Sequence, residues 1–385
     1  MIALLSFPSP DPIPLPAPVL LFKLLHGAVL TLHFVTVQWV LGWILIGSLW
    51  NLLGRCRGDA VMTESSVKLA GSLPVLMTYL INFGIPPLLF TQVLYGNFLY
   101  SSSVLIGAWW ISVVFLVIAA YSMLYAGNAR AAKARAWWGF GSGALIVGIA
   151  IAMIYSTNMT LMLRPAVWTE MFRLHPSGTV LPPHDATIVP RWLLMLASSV
   201  MMGGLTLVVT GIWQKNTAEV KAFMVRQGGW LMAFGTMLQL AAGFQVFQTQ
   251  PGVVLSRLAE NRFYQWLPSV WVGLAVGLIP LGLWAVVRRE KATGWLATGM
   301  SIIGFLGTAT MVIYRDAIRD STLWINAGYN AWDLKVVPNW PIVSLFLGTF
   351  VVGLLVIAWL ISIALKSKPI LDDEPIQSKT QEIAL

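Results

Sequence analysis

Long apolar segments separated by short polar ones follow one another along the whole chain. Each apolar segment has about 20 residues or more, the length that an α-helix needs to cross the hydrocarbon core of a bilayer. The pattern predicts nine membrane-spanning helices, at about residues 19–53, 69–99, 104–126, 137–162, 190–213, 228–248, 265–287, 295–314 and 341–365. We therefore expect an all-α polytopic membrane protein with one helical bundle over 19–365, an outer segment over 1–18 and a polar tail over 366–385.

The composition supports this fold class and excludes a soluble enzyme. Of the 385 residues, 57% are hydrophobic and only 10% are charged, whereas soluble domains carry about 25% charged residues. The single cysteine, Cys56, excludes an intrachain disulfide, covalent haem attachment through two thiols and a cysteine-based metal cluster. The net charge of +9 favours anionic lipid over nucleic acid as a partner, because of where the cations lie.

The Lys and Arg residues predict the topology. Of the 24, 15 fall in the predicted inner segments and 8 in the longer outer segments, while Lys23 lies near the outer end of the first span. Cytoplasmic loops carry an excess of cations, so we expect the N-terminus outside and the C-terminus inside. The substantial outer loops are then 163–189, 249–264 and 315–340, and we expect function at the outer face.

Ionisable residues within the predicted spans are few. None of the 15 acidic residues falls in a span, which argues against ion-coupled transport, since such proteins usually place carboxylates at membrane depth. His26 and His33 lie seven residues apart in the first span, on one helical face and about 10 Å apart along the axis. A neutral imidazole is the usual axial ligand of a b-type haem. Each is therefore a haem-ligand candidate, and a hydrogen bond to a neighbouring helix is the alternative. His175 and His184 are expected to be solvated loop residues.

Four segments carry a family resemblance. They read LTLHFVTVQWVLGWILIG, INFGIPPLLFTQVLYGNF, STNMTLMLRPAVW and FQVFQTQPGVVLSRLAEN. Together they resemble subunit I of the cytochrome bd-type quinol oxidases over about residues 20–275. In that family a His–Phe pair in the first helix supplies a haem ligand, which corresponds to His33 here. The last segment is similar to the family's quinol-oxidation loop, and Gln250 and Pro251 match its Gln-Pro. The family's Lys corresponds to Val253, or to Arg257 if a gap is allowed, and Glu260 then stands for its Glu.

The resemblance implies haem iron at His33 and a quinone headgroup near Gln250, Pro251, Arg257 and Glu260. For Arg257 and Glu260, three residues apart, a surface ion pair is the alternative. Other ligand positions of the family hold different side chains. Its second haem-binding His corresponds to Leu194, its Met ligand corresponds to Trp271, and its Glu ligand has no counterpart around Ile313. We therefore expect at most one or two b-type haems and no oxygen reduction.

The residue patterns and the resemblance together suggest two functions. The first is an integral membrane subunit of a quinol-linked, cytochrome bd-like electron-transfer complex, in the bacterial inner (cytoplasmic) membrane. It would hold one b-type haem and a quinone at the outer face, and pass electrons to other subunits, an extracytoplasmic cytochrome or a similar carrier. The alternative is a redox-inactive membrane scaffold or assembly subunit, and a transporter is a weaker third interpretation. No nucleic acid partner is expected.

The cation distribution leads to a topology prediction. A reporter fused after Leu385 should report a cytoplasmic location, because the cation-rich short segments lie on the same side as the C-terminus in a nine-span arrangement. A signal from the extracytoplasmic side would show that the arrangement is wrong.

Overall fold

The computed structural model describes residues 13–174 and 177–366. Its α-helices are α1 (Val19–Arg57), α2 (Ala60–Leu105), α3 (Gly107–Ala132), α4 (Trp138–Leu161), α5 (Trp168–Leu174), α6 (Ile188–Trp213), α7 (Ala218–Gln248), α8 (Gly252–Glu260), α9 (Arg262–Val287), α10 (Gly294–Ala327) and α11 (Trp340–Lys366). Within the described residues, nine of these are long and apolar enough to cross a membrane, namely all but α5 and α8. The prediction of an all-α protein with nine spans is confirmed.

The main difference from the sequence prediction concerns α10. The apolar pattern ends its span at 314 and leaves 315–340 as a loop, but the helix continues to Ala327. It ends at Gly328, whose φ is 63°, a left-handed conformation that glycine adopts without steric cost. The prediction that 315–327 is loop is therefore wrong. So is the prediction that every acidic residue lies outside the spans, because Asp316 and Asp320 belong to α10.

The other two predicted outer loops contain short helices. The segment 163–189 includes α5, and 249–264 includes α8. One face of α8 is apolar: Val254 and Leu258 are buried against Ala317 and Ile318, which lie on the extension of α10. The extension thus fixes the position of α8. His184 is exposed, and His175 lies outside the described residues, as do 1–12 and most of the predicted polar tail.

Close helix contacts lie at the centre of the unit formed by α1 to α10. A Cβ added at Gly203 of α6 would lie 3.1 Å from the Cα of Gly42 in α1, so both glycines are needed for this approach. Nearby, the indole N–H of Trp43 donates to the hydroxyl of Thr206 at 2.8 Å. Helices α1 and α6 therefore pack in direct backbone contact, and the remaining helices of the unit pack around them.

The segment Pro14–Pro18 and residues 335–366 form a second compact unit. The Leu15 N–H donates to the Lys335 carbonyl at 2.8 Å, and the Val337 N–H donates to the Leu15 carbonyl at 2.9 Å. These bonds form a short parallel bridge. Helix α11 follows within this unit.

Candidate functional site

A cavity of about 700 Å³ lies among the spans from α1 to α10. This volume is in the range of small-molecule and cofactor sites, about 300–1,000 Å³. Most of the wall is aliphatic and aromatic. The histidines and arginines that line it are His26, His33, Arg191, Arg315 and Arg319.

His33 faces this cavity in a defined orientation. Its Nδ1 lies 3.1 Å from the carbonyl oxygen of Leu80. A carbonyl only accepts, so Nδ1 carries the proton and Nε2 keeps its lone pair. Gly84 provides the space for the ring, since a Cβ there would lie 2.9 Å from Cε1 of His33. Metal-binding histidines are commonly oriented in this way, with one ring nitrogen donating to a carbonyl.

His26 lines the same cavity, but its ring is buried and already hydrogen-bonded to a neighbouring helix. The side chain is 1% exposed, and its Nε2 lies 3.2 Å from the Thr91 hydroxyl. That hydroxyl donates to the Pro87 carbonyl at 2.8 Å, so its oxygen accepts from Nε2–H. The Nδ1 atom lies 3.8 Å from Asp316, too far for a hydrogen bond. His26 thus shows the hydrogen bond to a neighbouring helix that the sequence left open.

Two further positions named by the family resemblance also meet at the cavity. Leu194 and Trp271 both line it. The Trp271 ring packs against Gly243, where a Cβ would lie 2.8 Å from its Cζ3. Neither side chain offers a lone pair to iron, whereas methionine sulfur does. The methionines that line the cavity are Met77, Met159, Met195 and Met311.

A buried ion cluster lies beside the cavity, at the end of the bundle where α1 begins. The Lys23 ammonium lies 2.9 Å from Asp316 and 2.6 Å from Asp320. The Tyr95 hydroxyl donates to Asp320 at 2.6 Å, and Arg319 donates to Asp316 at 3.3 Å. Two cations and two carboxylates therefore balance one another. This balance stabilises the cluster, because unpaired buried charges cost several kcal/mol.

Helical spacing and a local break in α2 build this cluster. Asp316, Arg319 and Asp320 share one face of α10, at relative positions i, i+3 and i+4. In α2 the backbone leaves the helical range at Tyr95, with φ −138° and ψ 30°.

Tyr329, which follows α10, closes the cluster on the side of α2. Its hydroxyl donates to the carbonyl of Leu94, next to the break. Burial, together with the negative charge of Asp320, raises the pKa of Tyr329 to about 12. The hydroxyl therefore keeps its proton at neutral pH and remains a hydrogen-bond donor.

Sequence reasoning missed this cluster because the hydropathy of RDAIRD falls below that of a span. Two signals were available: the Asp316–Asp320 spacing, which suits one helical face, and Gly328, a typical helix-ending residue. The absence of span carboxylates therefore no longer argues against ion-coupled transport.

The fold brings the four residues of the predicted quinone site only partly together. Gln250 is 6% exposed, and its carbonyl oxygen accepts from Arg191 at 3.4 Å. Arg257 lies over the Trp324 ring, with its guanidinium carbon 4.7 Å from the ring centroid. Glu260 is exposed, and Pro251 is an exposed residue just before α8.

The surface ion pair that the sequence offered as an alternative for this segment is absent. Among the described residues, no salt bridge within 4.0 Å joins Arg257 to Glu260. The segment from Val254 to Glu260 is nevertheless helical, as a shared face for these two residues requires.

These features define an integral membrane protein of the polytopic helical class, with a cavity among its spans. No protein-family model and no curated protein matches the chain. Among solved structures, the bd oxidase from Geobacillus thermodenitrificans matches with a TM-score of 0.66 and 15% sequence identity, over 92% of this chain and 99% of that chain. The resemblance to the cytochrome bd-type oxidases is therefore confirmed as a shared fold. At 15% identity, this match shows a shared fold and does not assign a role to any residue.

The ion cluster leads to a stability prediction. Lys23→Met leaves two adjacent carboxylates without their shared cation, so we expect a loss of about 3 kcal/mol in unfolding free energy. The measurement is the unfolding midpoint of the detergent-purified protein. Lys68→Met is the matched control: the half-buried Lys68 pairs with the exposed Glu64 at 3.2 Å, and pairs near the surface contribute about 0–1 kcal/mol. Equal midpoints for the two variants would contradict a stabilising role for the cluster.

Proposed function

We propose that the chain is a membrane subunit of a quinol-linked, cytochrome bd-like electron-transfer complex, with one b-type haem in its cavity and His33 as axial ligand. One observation carries this proposal: His33 lines an apolar cavity of about 700 Å³ with its Nδ1–H already donated to the Leu80 carbonyl. The ring therefore presents Nε2 as the ligand atom. The shared fold with a bd oxidase supports the assignment.

The residues of the cavity fit a flat apolar cofactor. Gly84 lacks the Cβ that would collide with the His33 ring, and most of the cavity wall is aliphatic and aromatic. A bound haem b would supply one-electron transfer. Leu194 and Trp271 provide no iron ligand, so we expect at most one or two haems. A single haem would need His26, a methionine such as Met77 or a partner chain as its second ligand.

The proposed quinone site is the outer segment 249–264. Gln250 connects it to the cavity, because its partner Arg191 lines the cavity wall. Gln250 and Arg257 would donate to the quinone oxygens, and Pro251 would shape the approach. Glu260, exposed at the end of α8, would accept a proton from the quinol and release it to water.

The remaining parts of the proposal concern location and partners. We place the protein in the bacterial inner (cytoplasmic) membrane, in contact with other subunits and with an extracytoplasmic cytochrome or a similar electron carrier. The replacement of ligand positions by Leu194 and Trp271 favours one alternative, a redox-inactive scaffold. The presence or absence of haem in the purified protein separates the two.

The haem assignment predicts the effect of a single substitution. His33→Ala should abolish the haem absorbance of the purified protein, because the variant removes Nε2 of His33, the proposed iron ligand. His184→Ala, at an exposed histidine, should leave the spectrum unchanged. Haem absorbance that survives in His33→Ala would refute the ligand, and a wild-type protein without haem would favour the scaffold.

The quinone assignment predicts a kinetic effect. Glu260→Gln should lower quinol-dependent reduction of the partner by about 10²-fold or more, since a positioned proton acceptor contributes 10²–10⁴-fold. Arg257→Ala should weaken the apparent quinol affinity. Arg173→Ala, an exposed change in α5, is the control. If rate and affinity stay at wild-type values in both test variants, the segment 249–264 is not the quinone site.

A further inference from the structure

Two cations on the cavity wall, Arg191 and Arg315, form no salt bridge within 4.0 Å to any carboxylate of the described residues. Arg191 donates to Thr160 at 3.5 Å and to Gln250 at 3.4 Å, both long and weak contacts. The Arg315 side chain has no hydrogen bond or ion pair to any described residue, and its guanidinium carbon lies 5.7 Å from the centroid of the Phe34 ring. Most of the five N–H groups of each guanidinium therefore remain available.

The neighbouring carboxylates are already neutralised. Asp316 and Asp320 are balanced by Lys23 and Arg319. Asp185, the other carboxylate that acts on Arg191, is paired with Arg164 at 3.6 Å. Arg191 and Arg315 therefore add two uncompensated positive charges to this end of the cavity.

These charges also destabilise one another. Arg315 is repelled by Arg319 and by Arg191, and the attraction from Asp316 is smaller than either repulsion. Repulsion between cations in a wall that is otherwise mainly apolar is costly, and an anion placed between them would offset it. Guanidinium groups suit carboxylate and phosphate in particular, because their N–H groups pair with two oxygens at once.

We propose that Arg191 and Arg315 bind the acid groups of an anionic amphiphile whose apolar body fills the cavity. The ligand class follows from the two surplus cations at one end and the aliphatic and aromatic wall elsewhere. Two sources share this chemistry: the two propionic acid groups of haem b, and a lipid acid. The haem source rests on the function proposed above, and the lipid source is independent of it.

The test compares each acid with its ester on the purified protein freed of haem and lipid. The probes are haemin against haemin dimethyl ester, and palmitate against methyl palmitate. The wild type should bind at least one acid about tenfold or more tightly than its ester, since hydrogen bonds to a charged group are worth about one decade in affinity or more. The Arg191→Gln/Arg315→Gln double variant should lose this preference.

Two further variants keep the test interpretable. Arg173→Gln changes an exposed arginine of α5 and should keep the preference for the acid. Arg315→Lys retains the positive charge and should keep most of the preference for the acid. It provides the test if the double variant does not fold.

Each outcome decides the inference separately from the proposed function. A preference for haemin that depends on the arginines supports it with haem as the source. An arginine-dependent preference for palmitate without haemin binding supports it with a lipid source, and refutes the haem proposal. If neither acid binds better than its ester, or if the preference survives in the double variant, the inference is overturned even where His33 is required for haem absorbance.

Discussion

The pairing of Lys23 with Asp316 and Asp320 is the interaction on which the arrangement of the site depends. It joins the beginning of α1 to the end of α10, and through the Tyr95 hydroxyl it includes α2 at its backbone break. A lysine between two carboxylates is stable inside a bundle only if all three groups are satisfied. The cluster therefore requires α10 to remain helical past its apolar part.

The extension of α10 then positions the other functional elements. Ala317 and Ile318 form the surface on which α8 packs, so the proposed quinone segment is held by the same helix that carries the ion cluster. Arg315 and Arg319, on the same turns, reach the cavity wall. The cavity, the ion cluster and the outer segment thus meet along about four turns of one helix. A substitution in any one of them is therefore expected to shift residues of the other two.

The nine spans could be predicted from sequence because bilayer thickness fixes the length of an apolar helix. The continuation of α10 could not, since hydropathy treats Asp316, Arg319 and Asp320 as water-exposed. Their burial depends on Lys23, almost 300 residues earlier in the chain, and such pairings are invisible to a local pattern. His33 was found through its sequence context, whereas the role of Gly84 as space for its ring required the folded positions of α1 and α2.

The surplus cations bear on the choice between a ligand-binding subunit and an inert scaffold. A bundle that served only assembly would gain stability if Arg191 and Arg315 were replaced by apolar side chains, because buried charges without partners are costly and well-packed apolar replacements are often neutral or stabilising. The two arginines lie on the wall of a mainly apolar cavity of about 700 Å³. A ligand with an apolar body and acid groups would match that wall and offset the two charges, which favours a binding function for this part of the bundle.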